Sequence, residues 1–490
     1  MDNNNQKDLS SELEIRKKKI YDLVEMGEVP YKEKFERSHR IHEAIKLCEG
    51  TNVKLAGRII FRRIMGKFGF MKIQDIEGAI QISVGINELQ EEAYNFYKKM
   101  IDIGDFVGVE GYLYRTQTGE LTVKALSVVL LSKTLRPLPE KFHGLTDIES
   151  RYRQRYLDLI SNETTRQVML GRSKLLSFIR NYLANNGFIE VETPILQSNV
   201  CGASAKPFYT KHNALDKICN LRIAPETYLK QVIAGGFDRV FEVAKNFRNE
   251  GMDTQHLQEF TMIEWYASYW NFEDCIKFYH DFFQAVLIEL KGSLKINYQG
   301  HELDFSGEWK RINYVDAVRD ILGFDFLEFE DVDLLISRVE STGLFKKQDF
   351  EGIKTIGGII DFIYKRKIRM DIIQPTILYN YPSSLSPLAR RRDDDSRIID
   401  KFQVVVMGFE LCNAFSELVN PLIQREELEK QAMAKADGDD EAMDYDEDFV
   451  LAMEHGMPPI CGLGFGIDRL MTILYDQPSV RDVVLFPLMK

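Results

Sequence analysis

The stretch FRNEGMDTQHLQEFTMIEWY, residues 247–266, sets Arg248, Glu250 and His256 among aromatic and apolar residues. Just upstream, DRVFEVA alternates through Val240, Phe241 and Val243 as a half-buried strand does, and after the polar loop EFTMIEWYASYW resumes β-like character. Two antiparallel strands joined by a loop fit this pattern. Such a hairpin holds a guanidinium at a strand end and hangs His256 over whatever lies beside it. An anionic group would find the Arg248 fork there, and a flat ring would find Phe260 to stack upon. The plain alternative is a surface ion pair of Arg248 with Glu250, which contributes little.

Two other segments belong beside it. In KLLSFIRNYLANNGFIEVETPIL (174–196), Leu175, Leu176, Ile179, Tyr182 and Leu183 form a helical stripe, Gly187 closes the helix, and Ile189, Val191 and Thr193 alternate as a strand towards Pro194. Alone, this segment reads as core packing. In GLGFGIDRLMTILYD (462–476), glycines lead into an apolar-striped helix with Asp468 and Arg469 in its first turn. That is not a dinucleotide fingerprint, and such glycines often serve only close packing. The chain has no GxxxxGK[ST] motif, which argues against a P-loop NTPase.

The rest of the chain sets these segments in context. Residues 1–50 open with a basic amphipathic helix carrying RKKK at 16–19, a solvated face or an RNA contact, with Ser11 and Glu14 in a capping-box pattern. From 51 to 136 come five β-rich runs separated by Gly, Asp and Asn, which suits an OB-fold barrel. Arg58, Arg62, Arg63 and Lys67 cluster near Phe68 and Phe70, offering cations to phosphates and rings to unpaired bases. Two prolines mark a linker at 137–150, and residues 151–490 read as one large α+β catalytic domain with an insertion at about 310–375. The formal net charge of −12 argues against a generic nucleic-acid coat but leaves room for a local basic surface. Six scattered cysteines without a CxxC pair give neither a zinc knuckle nor a disulfide framework. The absence of an apolar run of ~20 residues and of a signal-peptide core leads to the expectation of a cytoplasmic protein without a membrane span.

Taken in order, the helix–strand–Pro194 segment, FRNEG…EFTMIEWY and GLGFGIDRL resemble the three signature motifs of class II aminoacyl-tRNA synthetases. HGLTDIESRYRQRYLDLI (143–160), GASAKPF (202–208), RIAPETYLKQ (222–231) and ELCNAFSEL (410–418) narrow the resemblance to the lysyl-tRNA synthetase family of that class, over nearly the whole chain. The resemblance implies an N-terminal OB-fold that reads the anticodon and an antiparallel-sheet catalytic domain flanked by helices. It implies activation of L-lysine by ATP to lysyl-adenylate and pyrophosphate, transfer of lysine to the 3′ end of tRNA(Lys), use of Mg2+, and a homodimer built around Pro194.

By the same resemblance Arg248 bridges the amino-acid carboxylate and the α-phosphate, Glu250 and His256 line the nucleotide site, Phe260 stacks on adenine and Arg469 sits by the γ-phosphate. Glu410 holds magnesium. Glu417, with the Tyr266 hydroxyl beside it, meets the side-chain ammonium; Glu226 and the Gly202 carbonyl take the α-ammonium and Asn413 the carboxylate. Arg62, Phe70, Gln81 and Glu120 are the matched anticodon positions. Gln403 stands where a second magnesium-binding carboxylate is usual, so one ligand lacks charge; Gln255, Leu257 and Gln258 also depart from the usual second-motif loop. The competing readings are a sister synthetase for aspartate or asparagine, which would need a cationic pocket, and a catalytically silent tRNA-binding paralogue.

Overall fold

The computed structural model describes residues 2–138, 145, 147–439 and 441–489, with side chains from residue 11 onward. Half of the expected linker, at 139–144 and 146, lies outside the described residues, as does residue 440 in the acidic run 437–448. Two compact units divide the chain, Met1–Arg166 and Gln167–Lys490.

In the first unit, strands β1 (Asn52–Met65), β2 (Phe68–Gln74), β3 (Ala79–Gly85), β4 (Phe106–Arg115) and β5 (Leu121–Ser132) close a barrel in the order β1-β2-β3-β5-β4. Closure comes from the one parallel pairing, β3 with β5, and from β1 against β4. Period-2 alternation sends Met71, Ile73, Ile80 and Ile82 inward beside Leu55, Val107, Val109 and Val123, and leaves Phe68, Phe70, Lys72 and Gln81 half-exposed on the outside. The N-terminal helix, Asp2–Glu25, runs through Ser11, so that residue is no N-cap; a serine inside a helix costs only a few tenths of a kcal/mol. Its basic run docks the helix onto the barrel. Arg16 is buried and donates to the carbonyls of Ile103 (3.0 Å) and Thr134 (3.3 Å), and Lys19 pairs with Asp102 at 2.6 Å.

The second unit adds β6 (Ile189–Glu190), β7 (Leu196–Gln197), β8 (Phe208–His212), β9 (Lys217–Leu221), β10 (Arg239–Phe247), β11 (Glu259–Ser268), β12 (Lys295–Tyr298), β13 (His301–Asp304), β14 (Lys310–Asn313), β15 (Thr376–Pro382), β16 (Ile398–Val406), β17 (Phe409–Ser416) and β18 (Ile460–Gly466). Eight of them form one sheet in the order β14-β15-β16-β17-β18-β11-β10-β6, antiparallel except at its two ends. The hairpin read from 239–268 is β10 paired with β11, in register from Arg239↔Ala267 to Phe247↔Glu259. Ile263, Trp265 and Ala267 enter the main core with Phe241, Phe282 and Phe465, while Met262, Glu264 and Tyr266 face a cavity on the opposite side. Segment 310–375 is no separate body. It enters the sheet as β14, and its helices share a core in which Tyr314, Val318, Ile359 and Ile363 pack with Leu378 and Ile399.

The strand expected before Pro194 is only two residues long. Beyond it the backbone turns to a side chain: Thr193 donates through both N–H and Oγ1 to Glu242 Oε2 (3.2 and 2.7 Å), and Pro194 has no N–H to continue the ladder. Pro194, Ile195 and Leu196 are exposed. Among the described residues no helix is long and apolar enough to cross a membrane.

Candidate functional site

A cavity of about 420 Å³ opens over β11, β17 and β18. Gly202, Glu226, Arg248, Glu250, His256, Phe260, Tyr266, Gln403, Glu410, Asn413, Glu417 and Arg469 all line it, although they come from segments up to 267 residues apart in sequence (202 to 469).

At one end of it, β10 delivers Arg248 to the strand terminus, where its N–H bonds to the Gln258 carbonyl at 2.9 Å and its guanidinium carbon lies 5.1 Å from the Phe260 ring centre. Its Nε has no hydrogen-bond partner, a donor left for a ligand. The loop between the strands is held in place rather than free. Gln258 donates to the carbonyls of Glu250 and Gly251 (both 3.2 Å), and Val480 N–H reaches the Thr254 carbonyl at 3.0 Å. Within it, Asp253 accepts from His256 Nδ1 (2.8 Å), and His256 Nε2 meets Arg469 Nη2 at 2.9 Å. A guanidinium can only donate, so Nε2 is the acceptor and the ring proton sits on Nδ1. The histidine thus links the second motif to the third and fixes Arg469, whose Nη1 also contacts the Glu410 carbonyl at 3.4 Å. Burial lowers the pKa values of Arg248 and Arg469, yet an arginine remains charged.

Three buried carboxylates also converge on the cavity: Glu226, Glu264 and Glu417. Sequence reading missed Glu264, although the β alternation that places Tyr266 in the cavity places Glu264 there too. The Tyr266 hydroxyl donates to Glu264 Oε2 at 3.1 Å. Burial, reinforced by Glu226, raises the Glu264 pKa to about 8, so this carboxyl carries a proton near neutrality. Glu417 is likewise pushed up by burial, against the pull of Lys230.

Lys230, fully buried, was also missed. Its ammonium pairs with Glu226 Oε1 at 2.6 Å and with Glu417 Oε2. Helix Glu226–Ala234 begins at Glu226, which puts Lys230 one turn along the same face, an i,i+4 pair whose only sequence signal is that spacing. Burial works to deprotonate Lys230, but the two carboxylates more than reverse this and hold it charged. Gly462 lies beneath them because nothing larger fits: a Cβ there would lie 2.2 Å from Glu417 Oε1 and 2.3 Å from Tyr266 Cε1. Gly202, at φ +92°, brings the backbone past the Glu226 Cβ in a conformation side chains rarely adopt.

The expected metal ligands are arranged differently. Glu410 Oε1 is paired with Arg369 Nη1 at 3.1 Å. Gln403 turns its amide nitrogen towards Glu410 Oε2 (3.5 Å) and Asn413 Oδ1 (3.4 Å), while its carbonyl oxygen accepts from the Tyr381 hydroxyl at 2.8 Å. A hard dication requires several free oxygens, and this donor set offers one carboxylate already paired and an amide oxygen facing away; the residues do not fit a protein-held ion.

In the barrel, Phe70 stands edge-on to Phe68 with ring centres 5.0 Å apart, Gln81 donates to Thr122 Oγ1 at 3.0 Å, and Glu120 is exposed in the turn before β5. Arg62 is committed elsewhere. It donates to the carbonyls of Tyr97 (2.6 Å), Lys98 (2.9 Å) and Ile101, closing the C-terminus of helix Glu91–Met100, so it serves the scaffold where a base contact was expected. Arg63, paired in register with Phe70, and Lys67 are the exposed cations of that face.

Residues 147–490 match the family model described as tRNA synthetases class II (D, K and N), and residues 53–131 match that of the OB-fold nucleic acid binding domain. Among curated proteins, the chain is 43% identical over 497 residues to a Lysine--tRNA ligase of Staphylococcus epidermidis, covering 99% of each chain. It is 43% identical over 502 residues to that of Bacillus cytotoxicus, covering 100% of this chain and 99% of the relative. To that of Staphylococcus haemolyticus it is 42% identical over 495 residues, with 99% of each covered.

Proposed function

Since the chain belongs to the class II tRNA synthetases of the D, K and N group, its cavity has to select an amino acid, and we propose that it selects L-lysine and joins it to tRNA(Lys). The observation that carries this reading is the charge balance of the pocket. With Glu264 ionised by an incoming ammonium, three carboxylates, Glu226, Glu264 and Glu417, face one built-in ammonium, Lys230, and carry a surplus of two negative charges. Lysine brings two ammonium groups. Aspartate or asparagine would leave buried carboxylates unpaired, a penalty large enough for strong rejection. The full-length relatives, each named a Lysine--tRNA ligase, support the same choice.

In this reading the carboxylate of lysine, held by Arg248 and Asn413, attacks the α-phosphorus of ATP. The P–O bond to the leaving pyrophosphate breaks and lysyl-adenylate forms. The 3′-terminal hydroxyl of tRNA then attacks the lysyl carbonyl, and AMP leaves. No side chain acts as nucleophile; the work is positioning and charge neutralisation. Arg248 bridges the two anions, Phe260 receives the adenine, Arg469 holds the γ-phosphate, and Glu250 and His256 frame the nucleotide. Family membership implies ATP as substrate and use of a divalent metal, which we assign to Mg2+ brought in with the nucleotide. Phe70, Gln81 and Glu120 on the outer barrel face read the anticodon, with Arg63 and Lys67 meeting phosphates. The exposed Pro194–Leu196 segment contributes to a homodimer, and the protein works in the cytoplasm.

Lysine-dependent exchange of pyrophosphate into ATP, without tRNA, tests the reading. Lysine supports exchange, aspartate does not, and ornithine, one methylene shorter, falls behind by roughly 10- to 200-fold in kcat/KM. Absence of exchange from folded protein that still binds tRNA would establish the silent paralogue instead. The same assay carries a pH signature. Glu264 is protonated in the free cavity below about pH 8, and an incoming ammonium favours its ionised form, so lysine binding releases a proton. The KM for lysine therefore falls as pH rises towards 8, by at most about tenfold per unit, and Glu264→Gln flattens this dependence.

A further inference from the structure

The disagreement between the donor set and a metal site has a positive side. Strands β16 and β17 form a hairpin turned by Met407 and Gly408, at φ +51° and +72°, and this places Gln403 and Glu410 side by side over the cavity. A second carboxylate at 403 would complete a pocket for a dication. Instead the amide presents N–H groups to Glu410, the polarity opposite to that of an ion's ligand. The positive charge that Glu410 requires comes from Arg369, on the short 3-10 turn Arg369–Asp371, which ends the helical segment packed beside the hairpin.

We propose that Arg369 takes the place of a protein-held divalent ion: its guanidinium neutralises and orients Glu410, and the only dication in the activation step is the one that arrives on ATP. The inference rests on the reading of this cavity as an ATP site. Arg248 and Arg469 line the cavity, and Arg369 joins them through Glu410, which lines it between Arg369 and Arg469. Arg369 Nη1 holds Oε1 of Glu410 at 3.1 Å, and Arg469 Nη1 holds its backbone oxygen at 3.4 Å. Arg369 Nε is buried and has no hydrogen-bond partner, so the fork retains a donor beyond the one spent on Glu410. A fixed guanidinium needs no free ion to assemble it, which sets the expected dependence on metal concentration. Arg369 acts through Glu410 and is a positioning residue.

The test counts ions on the full-length protein. Manganese binding is followed by electron paramagnetic resonance with a non-hydrolysable ATP analogue present, with and without lysine. The expected result is one Mn2+ per site, and an exchange rate that changes by less than about twofold once total Mg2+ exceeds ATP. The double variant Arg369→Glu with Gln403→Glu should bind an additional Mn2+ and acquire a dependence on free Mg2+ of about fivefold or more. Should that variant not fold, Gln403→Glu alone serves, expected to bind the additional ion more weakly. Two or more tightly held Mn2+ ions in the wild-type protein overturn the proposal, as does a wild-type rate that keeps climbing with free Mg2+. Because the count is made with nucleotide alone as well as with lysine, it stands even if the amino acid proves to be another; failure of the nucleotide analogue to bind would count against the ATP reading instead.

Discussion

Replacing Arg248 by glutamine is expected to lower kcat for lysine-dependent pyrophosphate exchange by roughly 10³-fold, with the fold intact by circular dichroism and thermal unfolding. Arg248 stands at the end of β10, its guanidinium over Phe260 and its Nε without a partner. Two anions must approach each other there for the carboxylate to reach phosphorus, and the fixed cation acts most strongly where their charges come closest. Losing one preorganised donor from such a site costs about 10²–10³ in rate, and Arg248 supplies both a fork and a full charge. The unliganded fold should tolerate the change, because the contacts of the guanidinium are few: one 3.5 Å bond to the Ile223 carbonyl and the face of Phe260. A loss below tenfold would remove Arg248 from the reaction centre.

Glu417→Gln should cost about 3–5 kcal/mol in kcat/KM for lysine, roughly 10²–10³-fold or more, by removing a fully buried carboxylate from an ammonium that has no water to fall back on. The same change leaves Lys230 with Glu226 alone, so part of the loss could come from the protein's own disturbed ion pair. Adding Lys230→Met to Glu417→Gln separates the two effects. Removing the orphaned ammonium should restore thermal stability while lysine stays excluded. Recovery of lysine-dependent exchange in the double variant would show that Glu417 serves Lys230 and not the substrate.

Much of the catalytic sheet could be read from residue order because its strands obey local rules. The alternation through Val240, Phe241 and Val243 and its resumption after the loop gave the β10–β11 hairpin, and the closely spaced β runs from residue 51 gave the barrel. Glycines in GLGFG often serve only close packing, and Gly462 does so, with Glu417 and Tyr266 pressed against the space where a side chain would stand. Less legible were choices made between distant segments. Arg62 resembled a base-reading cation in sequence but lies where three carbonyls at a helix end required a donor. Arg369 and Glu410 are 41 residues apart, and no periodicity links a short turn to a hairpin. Glu264, by contrast, shares a strand face with Tyr266, and the 3.6-residue period links Lys230 to Glu226; both followed from patterns already in use.

The strand order of the large sheet bears on how the protein is made. Strand β18 lies between β17 and β11, and among the described residues no other strand joins the two halves of the sheet. The pairing of Met262 with Gly466 and of Trp265 with Leu463 closes loops of about two hundred residues, the costly kind of contact that slows folding. During synthesis the barrel has its whole sequence available early, whereas the catalytic sheet remains in two pieces until β18 has been made. A ribosome that stops short of Ile460 therefore releases a chain able to form the OB-fold barrel but unable to close the cavity. Such a fragment exposes the inner edges of β11 and β17, unpaired strands of the kind that recruit chaperones or aggregate.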